Sequence, residues 1–172
     1  MTRAMELGRL ALPAATAALF VVAGCRTAPD WMQNGMHAPP LEGRTVDGQS
    51  VSLASERGKV AVVVFFSDEC PFCRALYPTE RELATRMNAN PFVVIGVASD
   101  SSETLRDASH RERISWPVVH DADGTLFSKW GVNWIPTVYV LDADGVIRAF
   151  CPSSSALIQT VDDLIAKTKT AQ

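Results

Sequence analysis

Residues Val60 to Pro78 read VAVVVFFSDECPFCRALYP, and this stretch constrains the chain more than any other. The apolar run Val60 to Phe66 is too uniform for a strand with one wet face. It fits a strand buried on both faces of a parallel sheet. Ser67-Asp68-Glu69 ends the run, and Cys70-Pro71-Phe72-Cys73 opens a helix-like segment. Cys70 is therefore expected at a helix N-terminus, where unpaired N–H groups and the positive end of the helix dipole favour an anionic sulfur. Pro71 suits the first helical turn because it has no N–H to lose there. The two-residue spacer sets Cys73 one turn on, within disulfide reach and more buried. Cys70 attacks, and Cys73 resolves the mixed disulfide at which a lone thiolate would stop. A zinc half-site would need a second CxxC or a His/Cys pair at ligand spacing, whereas Cys25 and Cys151 stand singly and far away. An inert structural disulfide is the other alternative, and the helix-start setting weighs against it.

The 172 residues allow one domain of ordinary size plus an appendage. A net charge of −3 with no basic run argues against nucleic acid. The N-terminus is distinct. Arg3 and Arg9 give a positive start, Leu10 to Gly24 is almost wholly apolar or small, and Val22-Ala23-Gly24-Cys25 closes it. The closing residues resemble the lipobox of bacterial lipoproteins, which implies a signal peptide over 1–24 and a lipidated N-terminal Cys25. The apolar run contains Pro13 and falls short of the roughly 20 residues that span a bilayer; an uncleaved anchor and a secreted form are the alternatives. Arg26 rather than Asp after Cys25 favours an outer over an inner membrane under the bacterial sorting rule that the resemblance brings with it. The expected location is extracytoplasmic and membrane-anchored, in a disulfide-permissive space.

Residues 25–40, with Pro29, Pro39, Pro40 and Asn34-Gly35, read as a tether. The domain is expected over 41–170. Arg44-Thr45-Val46 and Ser50 to Leu53 flank Asp47-Gly48 as a hairpin. A helix runs from Cys70 to about Asn88 with Phe72, Leu76, Leu83 and Met87 near one helical period and a kink at Pro78. Phe92 to Ala98 is a second buried strand. A helix capped by Asp100, Ser101 or Ser102 reaches about Arg113, and Trp116 to Val119 is extended. A short helix at Thr125 to Trp130, strands at Ile135 to Leu141 and Val146 to Phe150, and a helix at Ser155 to Lys167 complete the chain. Both Asp-Ala-Asp-Gly segments, at Asp121 and Asp142, lack the ligands of a calcium loop and read as turns.

With these elements in place the chain resembles the TlpA-like, thioredoxin-fold thiol-disulfide oxidoreductases of the bacterial cell envelope. The matching features are Gly58-Lys59, the apolar strand into Cys70-Pro71-Phe72-Cys73-Arg74, Pro78, Phe92 to Ala98, and Gly131-Val132 leading to Ile135-Pro136-Thr137. The resemblance implies an α/β fold with a central mixed sheet flanked by helices and an N-terminal β-hairpin extension. It implies a redox-active Cys70–Cys73 pair, a cis Pro136 that docks substrate, and Pro71, Phe72 and Ile135 as substrate-binding positions. Partners would be protein thiols and disulfides and an upstream thiol donor, with no cofactor and no metal.

The sequence departs from that pattern in three places. Glu69 stands where a Trp commonly precedes the first Cys. The acids that these families use to move the proton of the buried thiol correspond here to Val64 and Leu76, which leaves Glu69 as the candidate for proton transfer. Cys151 has no counterpart, and is read either as an accessory thiol near the motif or as an inert small hydrophobe. Two other functions compete with a reductant. A peroxiredoxin-like peroxidase would use a PxxxTxxC pattern, of which Ser67 keeps the hydroxyl and Val63 loses the Pro. A copper-binding module would draw on His120, although the chain has CxxC rather than CxxxC.

Overall fold

The computed structural model describes residues 32–170. The expected signal peptide, Cys25 and the first part of the tether lie outside them. The strands are β1 (Glu42–Arg44), β2 (Ser50–Ser52), β3 (Val60–Phe66), β4 (Phe92–Ala98), β5 (Val118–His120), β6 (Thr137–Leu141) and β7 (Ile147–Phe150). The helices are α1 (Pro71–Arg74), α2 (Tyr77–Arg86), α3 (Ser102–Glu112), α4 (Thr125–Lys129) and α5 (Ser154–Thr170).

The apolar run forms β3 and sits at the centre of a five-stranded sheet of order β5-β4-β3-β6-β7. It pairs in parallel with β4 from Val60↔Phe92 to Phe66↔Ala98, and antiparallel with β6 from Ala61↔Leu141 to Phe65↔Thr137. Every residue of β3 is buried, as a strand covered on both faces requires. Its side chains alternate between two cores. Val60, Val62, Val64 and Phe66 pack with Tyr77, Leu83, Leu157 and Val161 on one face. Ala61, Val63 and Phe65 pack with Leu126, Trp130 and Tyr139 on the other. This mixed sheet with helices on both faces is the thioredoxin-like fold.

The hairpin β1-β2 is antiparallel, from Glu42↔Ser52 to Arg44↔Ser50, so its first strand lies earlier than the sequence suggests. A Thr45↔Val119 bridge lays it against the outer strand β5. The approach is close at Gly43, where a Cβ would stand 2.4 Å from Val119 Cγ1.

Two expectations are corrected. The tether does not extend to residue 40 as free linker: Met32 is buried, Ile147 N donates to Met36 O at 2.8 Å, and Ala38 N donates to Gly145 O at 2.9 Å. Residues 35–38 thereby cover the backbone edge of β7, which would otherwise be unpaired. The helix after Cys70 is also two pieces, α1 and α2, with Pro78 in the first turn of the second, where it costs no hydrogen bond. Of the residues expected on its buried face, Phe72 is instead 70% exposed, whereas Leu83 is buried, Leu76 and Met87 pack against the core, and Cys73, Tyr77, Glu80 and Ala84 are buried as well.

Candidate active site

Cys70 is the N-cap of α1, with extended backbone (φ −84°, ψ 115°) and Pro71 in the first turn. Cys70 N donates to Ser67 O at 3.2 Å, and Arg74 N donates to Cys70 O at 3.1 Å, so the turn after β3 and the first turn of α1 fix the residue from both sides. Cys70 and Cys73 are both free thiols, Cys70 half-buried and Cys73 1% exposed. One sulfur can meet a partner and the other cannot. Burial is the main reason that the Cys73 thiol is pushed well above the usual range, opposed by a backbone hydrogen bond from Ser67 and reinforced by Cys70 and Glu80. Cys73 therefore waits as a thiol until a base or a nearby electrophile engages it.

The opposite wall comes from the loop into β6. The Ile135-Pro136 peptide is cis, and the Cys70 Sγ lies 3.9 Å from Ile135 O. Thr137 Oγ1 donates to Trp134 O at 2.6 Å, tying the loop to the start of the strand. Pro71 and Phe72 are exposed on the helix side. The proposed docking positions Pro71, Phe72 and Ile135 thus border the reactive sulfur.

Cys151 follows β7 at the same end of the sheet, with its Sγ 3.9 Å from Pro136 O. Glu69 is exposed, with its amide donating to Ser67 Oγ at 3.2 Å. Asp100, read as a helix cap, instead accepts from Ser67 Oγ at 2.8 Å and Asp68 N at 3.2 Å; Ser101 caps α3 by accepting from Thr104 N at 3.1 Å. His120 Nδ1 lies 3.3 Å from Ser102 Oγ, on a strand separated from β3 by β4. No three His, Cys, Asp or Glu side chains gather as a metal site among the described residues.

Sequence reasoning missed a polar cluster beneath the motif. Asp68 is buried and accepts from Arg111 Nη2 at 2.6 and 2.7 Å, with Tyr77 Oη 3.5 Å from Asp68 Oδ1. Asp68 raises the affinity of Arg111 for its proton through that hydrogen bond. Tyr77 is pushed upward by burial first, then by the charges of Asp68 and Glu80. Glu80 is 3% exposed. Burial pushes its carboxyl up to about 8, and Arg81 opposes the rise. One signal was available in the sequence: positions 73, 77, 80 and 84 fall at i, i+4, i+7 and i+11, a single helical face.

With this geometry in view, a model of the AhpC/TSA family matches residues 34–150. The soluble secreted antigen MPT53 of Mycobacterium tuberculosis is 32% identical over 101 residues, 59% of this chain and 58% of that protein. The chain thus spans little more than half the length of that relative. A chloroplastic peroxiredoxin Q from Sedum lineare is 28% identical over 122 residues, 66% of each chain. Among solved structures, the thioredoxin domain of a thiol-disulfide oxidoreductase from Bacteroides vulgatus superposes with a TM-score of 0.72 at 25% identity, covering 77% of this chain and 98% of that one. A secreted disulfide oxidoreductase of Mycobacterium tuberculosis superposes with a TM-score of 0.64 at 25% identity, covering 72% and 96%.

Proposed function

Because the chain belongs to the AhpC/TSA family and folds as a thioredoxin-like domain, we propose that it is a thiol-disulfide oxidoreductase working through Cys70 and Cys73. The observation that carries this reading is the pair itself: an accessible sulfur at a helix cap facing the Ile135 carbonyl, with a buried free thiol one turn behind. In the reducing direction the Cys70 thiolate attacks a partner disulfide and expels one partner sulfur as thiolate. Cys73, losing its proton, then attacks Cys70, forms the Cys70–Cys73 bond and releases the second partner sulfur. Two electrons pass from the dithiol to the partner. Pro136 and Ile135 present backbone to the docked substrate, with Pro71 and Phe72 as the facing surface. The test is Cys73→Ser in the full chain: mixed disulfides with envelope proteins should accumulate on Cys70, and an empty trap would contradict the reading.

The preferred direction is reduction of envelope proteins, with an upstream thiol donor restoring the dithiol. An extracytoplasmic location is supported by the secreted relatives, and an anchor through lipidated Cys25, on the outer rather than the inner membrane, by the lipobox-like residues. No helix among the described residues is long and apolar enough to cross a membrane. Mass spectrometry of the native N-terminus tests the anchor. A diacylglyceryl group on the Cys25 sulfur is expected, and a Cys25 sulfur held in a disulfide would contradict it.

A peroxidase is the second reading, favoured by the peroxiredoxin Q relatives. The hydroxyl of Ser67, which would face a peroxide in that chemistry, is instead directed to Asp100 at 2.8 Å. Peroxide consumption that depends on Cys70 and exceeds protein-disulfide exchange would make this the better account.

A further inference from the structure

We infer that Asp100 is a positioning residue for the attack by Cys70: its carboxylate holds the turn between β3 and α1 in the shape that aims the Cys70 sulfur at a disulfide docked against Ile135. This rests on the oxidoreductase reading and adds to it a residue from outside the motif.

Residues 67–69 belong to no helix or strand, so other groups have to hold their backbone. β3 and β4 run parallel and their last pair is Phe66↔Ala98, which releases Ser67 and Asp100 from the sheet side by side. One oxygen of Asp100, Oδ1, then accepts from Ser67 Oγ at 2.8 Å and from Asp68 N at 3.2 Å. With its proton given to Asp100, the Ser67 hydroxyl is left as an acceptor, and it takes Glu69 N at 3.2 Å. Ser67 O takes Cys70 N at 3.2 Å. The amides of Asp68, Glu69 and Cys70 therefore all lead back to Ser67 and Asp100. Arg111 grips the Asp68 side chain but none of these amides.

The helix that follows does not need this carboxylate, because Ser101 caps α3 by accepting from Thr104 N at 3.1 Å. Asp100 Oδ2 is buried and has no hydrogen-bond partner among the described residues. The hydrogen bonding of Asp100 is thus directed wholly to the turn, through Oδ1. Such a hold matters for disulfide attack because that reaction is directional. The Cys70 thiolate must approach along the S–S bond that it breaks, forming one new S–S bond while the second partner sulfur leaves as a thiolate. Neither a proton nor a bond changes at Asp100. Its contribution is the placement of Cys70 Sγ 3.9 Å from Ile135 O, and a displacement of about 1 Å is enough to slow an aligned reaction severely. Charge alone would act the other way. A carboxylate beside a forming thiolate opposes it, so a purely electrostatic Asp100 would speed Cys70 when removed.

The test mixes the reduced full chain rapidly with rising concentrations of a fluorogenic disulfide-linked peptide, and reads the maximal rate of the first exchange and its half-saturating concentration. Asp100→Ala should lower the maximal rate about tenfold and leave the half-saturating concentration within about twofold. Asp100→Asn keeps an acceptor oxygen and sheds the charge, and should stay within about twofold of the wild type. Ser67→Ala should be slowed like Asp100→Ala, and the double variant should be no slower than the slower single, because both break one hold. Alkylation of Cys70 by iodoacetamide, which needs no docked alignment, should not slow in any of these chains. An Asp100→Ala chain that exchanges as fast as the wild type overturns the inference. So does an Asp100→Asn chain as slow as Asp100→Ala, or alkylation slowed in step with exchange. A wild type that exchanges with no peptide disulfide overturns the oxidoreductase reading as well.

Discussion

The Cys70 sulfur faces the carbonyl oxygen of Ile135 across 3.9 Å, so the reactive atom and the backbone of the loop before β6 share one small surface. Phe72 is 70% exposed on the helix side of that surface. A large apolar side chain left in water beside a reactive group reads as a contact for a partner. Phe72→Ser should raise KM for a protein disulfide about three- to tenfold with little change in kcat, since part of an aromatic side chain's burial is lost on docking. A small aromatic disulfide should react with the variant as with the wild type. Equal losses on both substrates would place Phe72 in the folding of α1 instead.

Arg111 reaches from the last turn of α3 to both carboxylate oxygens of Asp68, at 2.6 and 2.7 Å. Asp68 is buried two residues before Cys70, so its negative charge stands beside the site where a thiolate must form. Arg111→Gln should slow alkylation of Cys70 by about threefold at neutral pH, and Asp68→Asn in the same chain should restore it. An unaltered rate in the single variant would show that Asp68 does not act on Cys70.

The stability of the fold should carry the signature of Glu80. Its folded carboxyl is raised from the ordinary 4.5 to about 8 by burial. Between those values the unfolded chain has ionised this group and the folded chain has not. Folding then takes up a proton, and the stability contributed by this group falls as pH rises from about 4.5 to about 8. Glu80→Gln removes that loss. Urea unfolding should find the variant more stable than the wild type by on the order of a few kcal/mol at pH 9, with the gap closing at pH 4. Parallel stability curves would mean that folding does not raise the Glu80 carboxyl.

Gly96 sits in β4 where a Cβ would stand 2.9 Å from the Phe66 ring and 3.1 Å from Val118. Gly96→Ala should cost about 1–3 kcal/mol by overpacking the sheet beside the end of β3. Thermal unfolding reads this directly, and an unshifted midpoint would show that Phe66 moves aside freely.

The parts legible in the sequence are those set by strong local patterns. The uniform apolar runs gave β3 and β4 within the observed bounds, and the motif gave the helix cap at Cys70 and its more buried partner. Ile135-Pro136 came from family resemblance and not from composition or spacing. The misreadings have tertiary causes. Residues 32–40 look like linker because their order comes from hydrogen bonds to β7, more than a hundred residues away. Phe72 counts as core by its hydrophobicity but is exposed, while the sheet also buries the row containing Glu80. A glutamate on a helix ordinarily marks the wet face. The pairing of Asp68 with Arg111 was not legible because the two are 43 residues apart in sequence.

The most direct test of the central claim is a redox titration of the full chain against defined thiol buffers at pH 7, with mass mapping of the cysteines. The account predicts a reversible two-electron transition confined to Cys70 and Cys73, lost in Cys70→Ser, with a potential nearer about −270 mV than −120 mV if the chain serves as a reductant. A Cys70–Cys73 pair that forms no reversible disulfide anywhere in that range would contradict it.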